Sequence, residues 1–358
     1  MRIQAAVLRH PAKPFTIEEA ELDDPGPGEA LVRVAGAGLC HTDLLFRSFP
    51  ELGMPMIFGH EGSGVIEAAG PGVTRVKPGD HVVLSYDSCG HCPRCLAAAP
   101  CYCDEFLGRN FSGMRPDLTA GAAGLDGSPV AARWFGQSSF ATHCLATERN
   151  LVPVDVSLPL ELLGPLGCAV QTGAGSVLLA LDVRPASAIA VFGTGAVGLS
   201  AVMAAKVAGA SEIIAVDMHA SRRELALALG ATRALDGADP GLAAALGQID
   251  YALDTTGVPD VIATAVAATR PGGSCGLLGA GGGPVVLQPE GFAGRSVRYI
   301  FEGEAVPQLF IPTLIRLWTE GRFPFDRLIR TYPLSGVNEA ERDSASGVTV
   351  KPVLLPDA

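Results

Sequence analysis

The chain has 358 residues, 48% hydrophobic and 18% charged, which is too long for one ordinary hydrophobic core and too apolar for a disordered chain. Its 37 acidic and 26 basic residues leave a net charge of −11, and the basic residues never gather into a run, so a nucleic-acid footprint is excluded. Nine cysteines are far too few for a disulfide scaffold at this length, yet five of them crowd between Cys89 and Cys103, a density that points to metal.

At the N-terminus, Arg2, Arg9, His10, Lys13 and a run of acids interrupt any apolar stretch, so no secretory signal is expected and the cytoplasm is the expected location. Over the first 150 residues, the segments AAVLRH, EALVRVAGAGL, GSGVIEAAG, GDHVVLSY and FATHCLAT read as short strands separated by Gly- and Pro-rich turns. This predicts a β-rich, loop-rich unit spanning 1–170. Within it, Cys40-His41-Thr42-Asp43, Gly59-His60-Glu61-Gly62 and Gly167-Cys168 each present a good zinc ligand among glycines, although spacing alone does not join them.

Cys89, Cys92, Cys95 and Cys103 place four thiols in one loop, with the spacing of a closed tetrahedral zinc shell and hence a structural site. An iron–sulfur cluster and reduced thiols without metal are the alternatives. Cys101 and His91 share the loop and are expected to be unliganded neighbours, because a structural zinc takes four ligands.

From about Gln171 the texture changes to strand-like runs alternating with long Ala/Leu/Val segments, which predicts βαβ repetition and a doubly wound parallel sheet over 171–304. The uncharged stretch between Arg184 and Lys206 is long enough to cross a bilayer, but Gly193, Gly195 and Gly198 divide it into strand, turn and helix, so no membrane partner is expected. The run Gly193-Thr194-Gly195-Ala196-Val197-Gly198 fits G-x-G-x-x-G directly after a strand, the pattern of a pyrophosphate-binding turn. Asp217 ends the next strand-like run, where a carboxylate accepts from the ribose hydroxyls and repels a 2′-phosphate. This favours NAD over NADP, although Arg222 and Arg223 stand close by. Residues 305–358 read as a return to the first unit, through a helix from Pro307 to Gly321 and a terminal strand in VTVKPVLL. His10, His81, His143 and His219 have no partner pattern, and Cys144 and Cys275 read as small core hydrophobes.

The segments GLCHTDL, GHEGSGVIEAAG, KPGDHVV, CGHCPRC, NFSG, FGQSSFATH, LGPLGCAVQTGAG, GTGAVGLSA and terminal KPVL resemble the zinc-dependent medium-chain alcohol dehydrogenases, and within them the aryl (benzyl) alcohol dehydrogenase branch. The likeness covers essentially the whole chain. It implies an α/β fold: a GroES-like β-rich catalytic domain plus a Rossmann coenzyme domain. It also implies two zinc ions per chain, a catalytic one on Cys40, His60 and Cys168 and a structural one on the four-cysteine loop. By the same resemblance Glu61 is a carboxylate near the catalytic metal, Asp43 orients the zinc-binding imidazole, and Thr42 takes the alcohol proton while NAD accepts hydride. His41 and Lys351 fall on pyrophosphate-binding positions and Thr172 on one that packs against the nicotinamide. Leu45 stands where relatives with a full proton relay carry a histidine.

Ser85 stands where many relatives hold a large aromatic, and Trp134 and Phe135 fall along the substrate channel. With Leu45 these imply an apolar bore for a benzyl, cinnamyl or terpenoid primary alcohol. Two other readings compete. A thiol-adduct (formaldehyde) or polyol dehydrogenase requires charged or hydroxyl-binding lining residues, for which Arg47 and Arg115 are the candidates. A non-catalytic nucleotide sensor would have lost zinc ligands, and all seven are present. The resemblance also implies a homodimer or homotetramer, paired through the edge of the coenzyme domain near Ser274 to Gly279.

Overall fold

The structure is a computed structural model that describes residues 1–45 and 55–356; Arg47 lies outside the described residues. The chain packs into two compact units.

The first unit comprises residues 1–168, 306–312 and 326–358. Strands Arg2–Leu8, Thr16–Leu22, Gly121–Gly124, Pro129–Ala131 and Met56–Ile57 close into a small barrel, which leaves no unpaired edge. A second, seven-stranded sheet runs in the order Leu151–Val154, His81–Leu84, Glu61–Ala69, Glu29–Gly38, Lys351–Leu355 and Ile329–Pro333, with His143–Thr147 also paired to Glu29–Gly38. Glu29–Gly38 is the spine of this sheet and is buried along nearly its whole length. Its register decides where the chemistry falls. Gly38 pairs with Glu61 on one side and Val353 on the other, so the chain segments carrying Cys40, Glu61 and Lys351 converge at one end of the sheet.

The second unit, 169–305 and 313–325, is built on six parallel strands in the order Arg233–Asp236, Glu212–Asp217, Ala188–Phe192, Ile249–Asp254, Thr269–Leu277 and Ser296–Tyr299. This order reverses at Ala188–Phe192, where a doubly wound sheet opens its ligand crevice. All five residues of that strand are buried, which explains its unbroken apolar sequence. Helices Ala196–Ala208, Ala220–Leu229 and Pro259–Ala268 connect the strands.

Two edge strands, Arg233–Asp236 and Ser296–Tyr299, escape the sequence pattern because they are half-exposed and carry no apolar run. The uncharged stretch between Arg184 and Lys206 folds as strand, turn and helix, and among the described residues no helix is long and apolar enough to cross a membrane. The C-terminal boundary differs from the sequence expectation. Residues 313–325 pack with the sheet unit, because helix Pro307–Thr319 changes unit at Pro312 and Leu314, Leu317, Phe323 and Phe325 beyond it are buried.

Candidate active site and metal centres

Cys40 leaves the spine strand just before the five-residue helix His41–Leu45, His60 leads into strand Glu61–Ala69, and Cys168 follows the tight turn Gly164–Gly167. Ser85 holds that turn: its hydroxyl donates to the Gly167 carbonyl at 2.6 Å. One donor atom from each of Cys40, His60, Glu61 and Cys168 lies within 4.8 Å of the others.

The imidazole of His60 is fully buried, and its two nitrogens are differently engaged. Nδ1 lies 2.7 Å from Asp43 Oδ1, whereas buried Nε2 has no hydrogen-bond partner among the described residues. A buried nitrogen left in that state costs free energy unless something occupies it, and two thiols and one imidazole are the donor set of an open, catalytic zinc site. The residues therefore fit the metal. The Cys40 thiol is held well below its usual range, first by a hydrogen bond with Cys168 and then by the charges of Lys351 and His60, which favours the thiolate a metal needs. Burial opposes protonation of His60, but the Asp43 carboxylate outweighs it and raises the imidazole well above its ordinary value.

Lys351, expected at a pyrophosphate-binding position, is engaged with Glu61 in this structure. Its Nζ is buried, donates to both Glu61 oxygens at 2.9 Å and to the Leu39 carbonyl at 3.2 Å, and is thereby committed to Glu61. Burial pushes the Glu61 carboxyl up to about 7, even with Lys351 pulling the other way. Thr42 places its hydroxyl 3.8 Å from Cys40 Sγ. His41 is exposed and Leu45 partly buried on the same short helix.

The residues expected in a substrate channel separate into different roles. Leu45 alone retains partial exposure, while Ser85, Trp134 and Phe135 are buried. Trp134 is inaccessible to solvent and its indole N–H donates to Asp43 Oδ1 at 3.0 Å, so it cannot line an open channel. Phe135 stacks on His60 with ring centroids 4.4 Å apart. Sequence reasoning also missed Gln137, whose amide donates to the His60 and Ser85 carbonyls and accepts from Gly62 N–H. A lone amide in the otherwise small and apolar segment FGQSSFA was the available signal.

In the cysteine loop, Cys89 Sγ–Cys95 Sγ and Cys92 Sγ–Cys103 Sγ are both 3.9 Å. Four sulfurs tetrahedrally placed about 2.3 Å from one centre stand about 3.8 Å apart, so this cluster fits a closed zinc shell. Backbone N–H groups of Cys89, Cys92, Cys95 and Glu105 donate to the sulfurs, and the Cys92 thiol, held chiefly by the Asp104 and Cys95 backbone, is lowered to about 6. Cys101 is buried in the core outside this set, and exposed His91 turns to the Cys89 carbonyl and Glu105.

The glycine run occupies the first crossover of the parallel sheet. Gly193 has φ +83°, which only glycine adopts without strain, and Gly198 lies so close to the Gly193 carbonyl that a Cβ would stand 1.9 Å from its oxygen. Gly195, Ala196 and Val197 open the 13-residue helix Ala196–Ala208, whose free N–H groups favour an anion. Asp217 is fixed by the Thr194 N–H and hydroxyl and by the His219 N–H. Arg222 is largely buried beside Asp217, and Arg223 is bonded to the Asp217 and Met218 carbonyls. On helix Ala169–Gly175, Thr172 donates to Glu302 Oε2 at 3.4 Å.

A nucleotide-type crossover on one unit and a Cys–His–Cys donor set on the other mark a metal-dependent dehydrogenase linked to a dinucleotide. The comparisons narrow the class. Residues 26–156 match the family model for the alcohol dehydrogenase GroES-like domain, and residues 196–317 match that for zinc-binding dehydrogenases. The chain is 46% identical to geraniol dehydrogenase from Castellaniella defragrans, over 98% of this chain and 97% of that one. It is likewise similar to the crystal structure of an alcohol dehydrogenase zinc-binding domain protein from Burkholderia ambifaria (TM-score 0.97, 46% identity, all of both chains). Benzyl alcohol dehydrogenase from Acinetobacter calcoaceticus superposes with a TM-score of 0.95 at 42% identity, again over all of both chains. The chain belongs to the zinc-dependent medium-chain alcohol dehydrogenase family.

Proposed function

We propose that the chain oxidises allylic and aromatic primary alcohols of the terpenoid, cinnamyl or benzyl type to aldehydes, with NAD as hydride acceptor. The observation that carries this reading is the Cys40–His60–Cys168 cluster with its orphaned Nε2, on a chain whose similar proteins include a geraniol and a benzyl alcohol dehydrogenase. Zinc held by these three residues supplies Lewis-acid polarisation of an alcohol oxygen. A second zinc belongs to Cys89, Cys92, Cys95 and Cys103.

The chain's own groups do the rest. Asp43 holds the imidazole so that Nε2 faces the thiols, and Thr42 accepts the alcohol proton. Leu45 carries no titratable group, so from Thr42 the proton passes either to water or to another base. The N–H groups at Gly195, Ala196 and Val197 take the pyrophosphate with His41, Asp217 takes the adenosine ribose, and Thr172 packs against the nicotinamide. The enzyme acts in the cytoplasm as a homodimer or homotetramer.

Of the two arginines that the thiol-adduct alternative would use, Arg115 is already bonded to Glu29 and Asp23, while Arg47 lies outside the described residues. A screen for NADH production across benzyl, cinnamyl, terpenoid, aliphatic and polyol alcohols, with zinc measured on the same sample, tests the proposal. Two zinc per chain and preference for the first three classes are expected; turnover confined to polyols would overturn the substrate class.

A further inference from the structure

The turn from Trp134 to Ser138 touches His60 twice and reaches it a third time through Asp43. Trp134 Nε1 donates to Asp43 Oδ1, the same oxygen that lies 2.7 Å from His60 Nδ1. The Phe135 ring stacks on the imidazole face at an interplanar angle of 26°. Gln137 Nε2 donates to the His60 carbonyl at 2.9 Å. The imidazole is thus held across its face by Phe135 and at its edge by an Asp43 carboxylate that Trp134 fixes, while Gln137 ties down the His60 backbone.

The backbone of this turn is strained. Phe135 (φ 51°) and Ser138 (φ 54°) both lie in the left-handed region, which is uncommon for any side chain and an outlier for a bulky aromatic. Such conformations persist only where the surroundings impose them, and they gather at functional sites. Here the surroundings are visible. Trp134 is gripped by Phe58 and Phe111, its backbone N–H donates to the Ser138 hydroxyl at 2.8 Å, and the Phe135 carbonyl accepts from Asn150. Ordinary core filling does not require a left-handed phenylalanine; here that conformation lays the Phe135 ring against the imidazole of His60, whose buried Nε2 has no hydrogen-bond partner among the described residues.

We propose that the Trp134–Phe135 pair is a positioning element for His60: the indole N–H fixes the Asp43 carboxylate, the phenyl ring fixes the plane of the imidazole, and together they keep Nε2 aimed at Cys40 and Cys168. Both side chains are buried. The inference rests on the reading of that cluster as a zinc site and departs from a substrate-channel role for the two residues.

The test uses the full-length holoenzyme and two variants, Trp134→Phe, which keeps an aromatic ring but lacks the N–H, and Phe135→Leu, which keeps apolar volume but lacks the stack. Zinc affinity is read by chelator competition, with the four-cysteine zinc as internal reference, and ligand geometry by the visible spectrum after cobalt replaces the zinc on Cys40, His60 and Cys168. Loss of an outer-shell partner typically weakens metal binding about 10- to 100-fold, and that loss is expected at this site in W134F, with shifted cobalt bands in both variants. The four-cysteine zinc is expected to stay near wild type, while the thermal midpoint of the metal-free protein falls only by the few degrees of an ordinary core substitution. Wild-type zinc affinity and cobalt bands in both variants, with only the preference between small and bulky alcohols altered, would overturn the proposal and restore the channel role. Equal loss of both zincs with a midpoint lowered beyond that would reduce the pair to core packing. A wild-type protein that retains only the four-cysteine zinc would overturn the metal reading itself.

Discussion

Two glycines of the nucleotide turn give opposite answers to the same substitution. A Cβ on Gly198 would stand 1.9 Å from the Gly193 oxygen and 3.0 Å from its carbonyl carbon, and neither atom can rotate away because both are backbone. Helix Ala196–Ala208 would have to retreat by roughly 1 Å, in an interior packed too densely to absorb it. Overpacking of this kind costs about 1–3 kcal/mol, which in a domain of this size lowers Tm by roughly 2–4 °C per kcal/mol. A Cβ on Gly195 meets nothing within 4 Å, and its φ of −72° suits alanine. G195A is expected to stay within about 1 kcal/mol of wild-type stability, the usual scale of a helix N-cap change. Its methyl would instead stand where the pyrophosphate seats, and loss of one charge-assisted hydrogen bond at about 1.5–3 kcal/mol weakens NADH binding roughly 10- to 100-fold. Thermal unfolding and NADH fluorescence titration on both variants separate the effects. Wild-type Kd in G195A would refute the pyrophosphate seat, and wild-type Tm in G198A would refute the close-packing argument.

Replacing Lys351 by Met leaves the Glu61 carboxylate buried without its counter-charge, so K351M should lose about 3–5 kcal/mol in chemical denaturation and K351M/E61Q should regain part of it. A stable K351M that has lost only NADH affinity would return Lys351 to the cofactor. C103S should lose one zinc of two while C101S keeps both, as read by metal analysis; the reverse would put Cys101 in the shell. Burial alone would raise the Glu29 carboxyl, but Arg115 and Arg133 outweigh it and hold it below its ordinary 4.5. The stability it contributes is therefore complete above pH 4.5 and lost as pH falls through the depressed folded value. E29Q should flatten the acid limb of the stability profile measured by urea unfolding, and an unchanged limb would show that the pairing contributes nothing.

Periodicity and punctuation made much of this fold legible. Strand Glu212–Asp217 coincides with the apolar run EIIAVD, and the glycine turn sits between strand Ala188–Phe192 and helix Ala196–Ala208. The short polar edge strands were hidden because their stability comes from pairing with an existing sheet rather than from their own sequence. The four-cysteine loop was readable because its ligands are close in sequence. Cys40, His60 and Cys168 were joined only by family resemblance, since they meet through sheet register, which spacing does not encode. The commitments of Trp134 to Asp43 and of Lys351 to Glu61 were hidden for the same reason: each contact closes across about a hundred residues or more.

The most direct test of the central claim is zinc content and NADH formation from terpenoid, cinnamyl and benzyl alcohols in wild type and His60→Ala, measured on the same preparations. Two zinc and turnover in wild type, with one zinc and no turnover in H60A while NADH still binds, is the predicted result. Undiminished turnover in H60A, or two zinc retained by it, would contradict a catalytic metal at Cys40, His60 and Cys168.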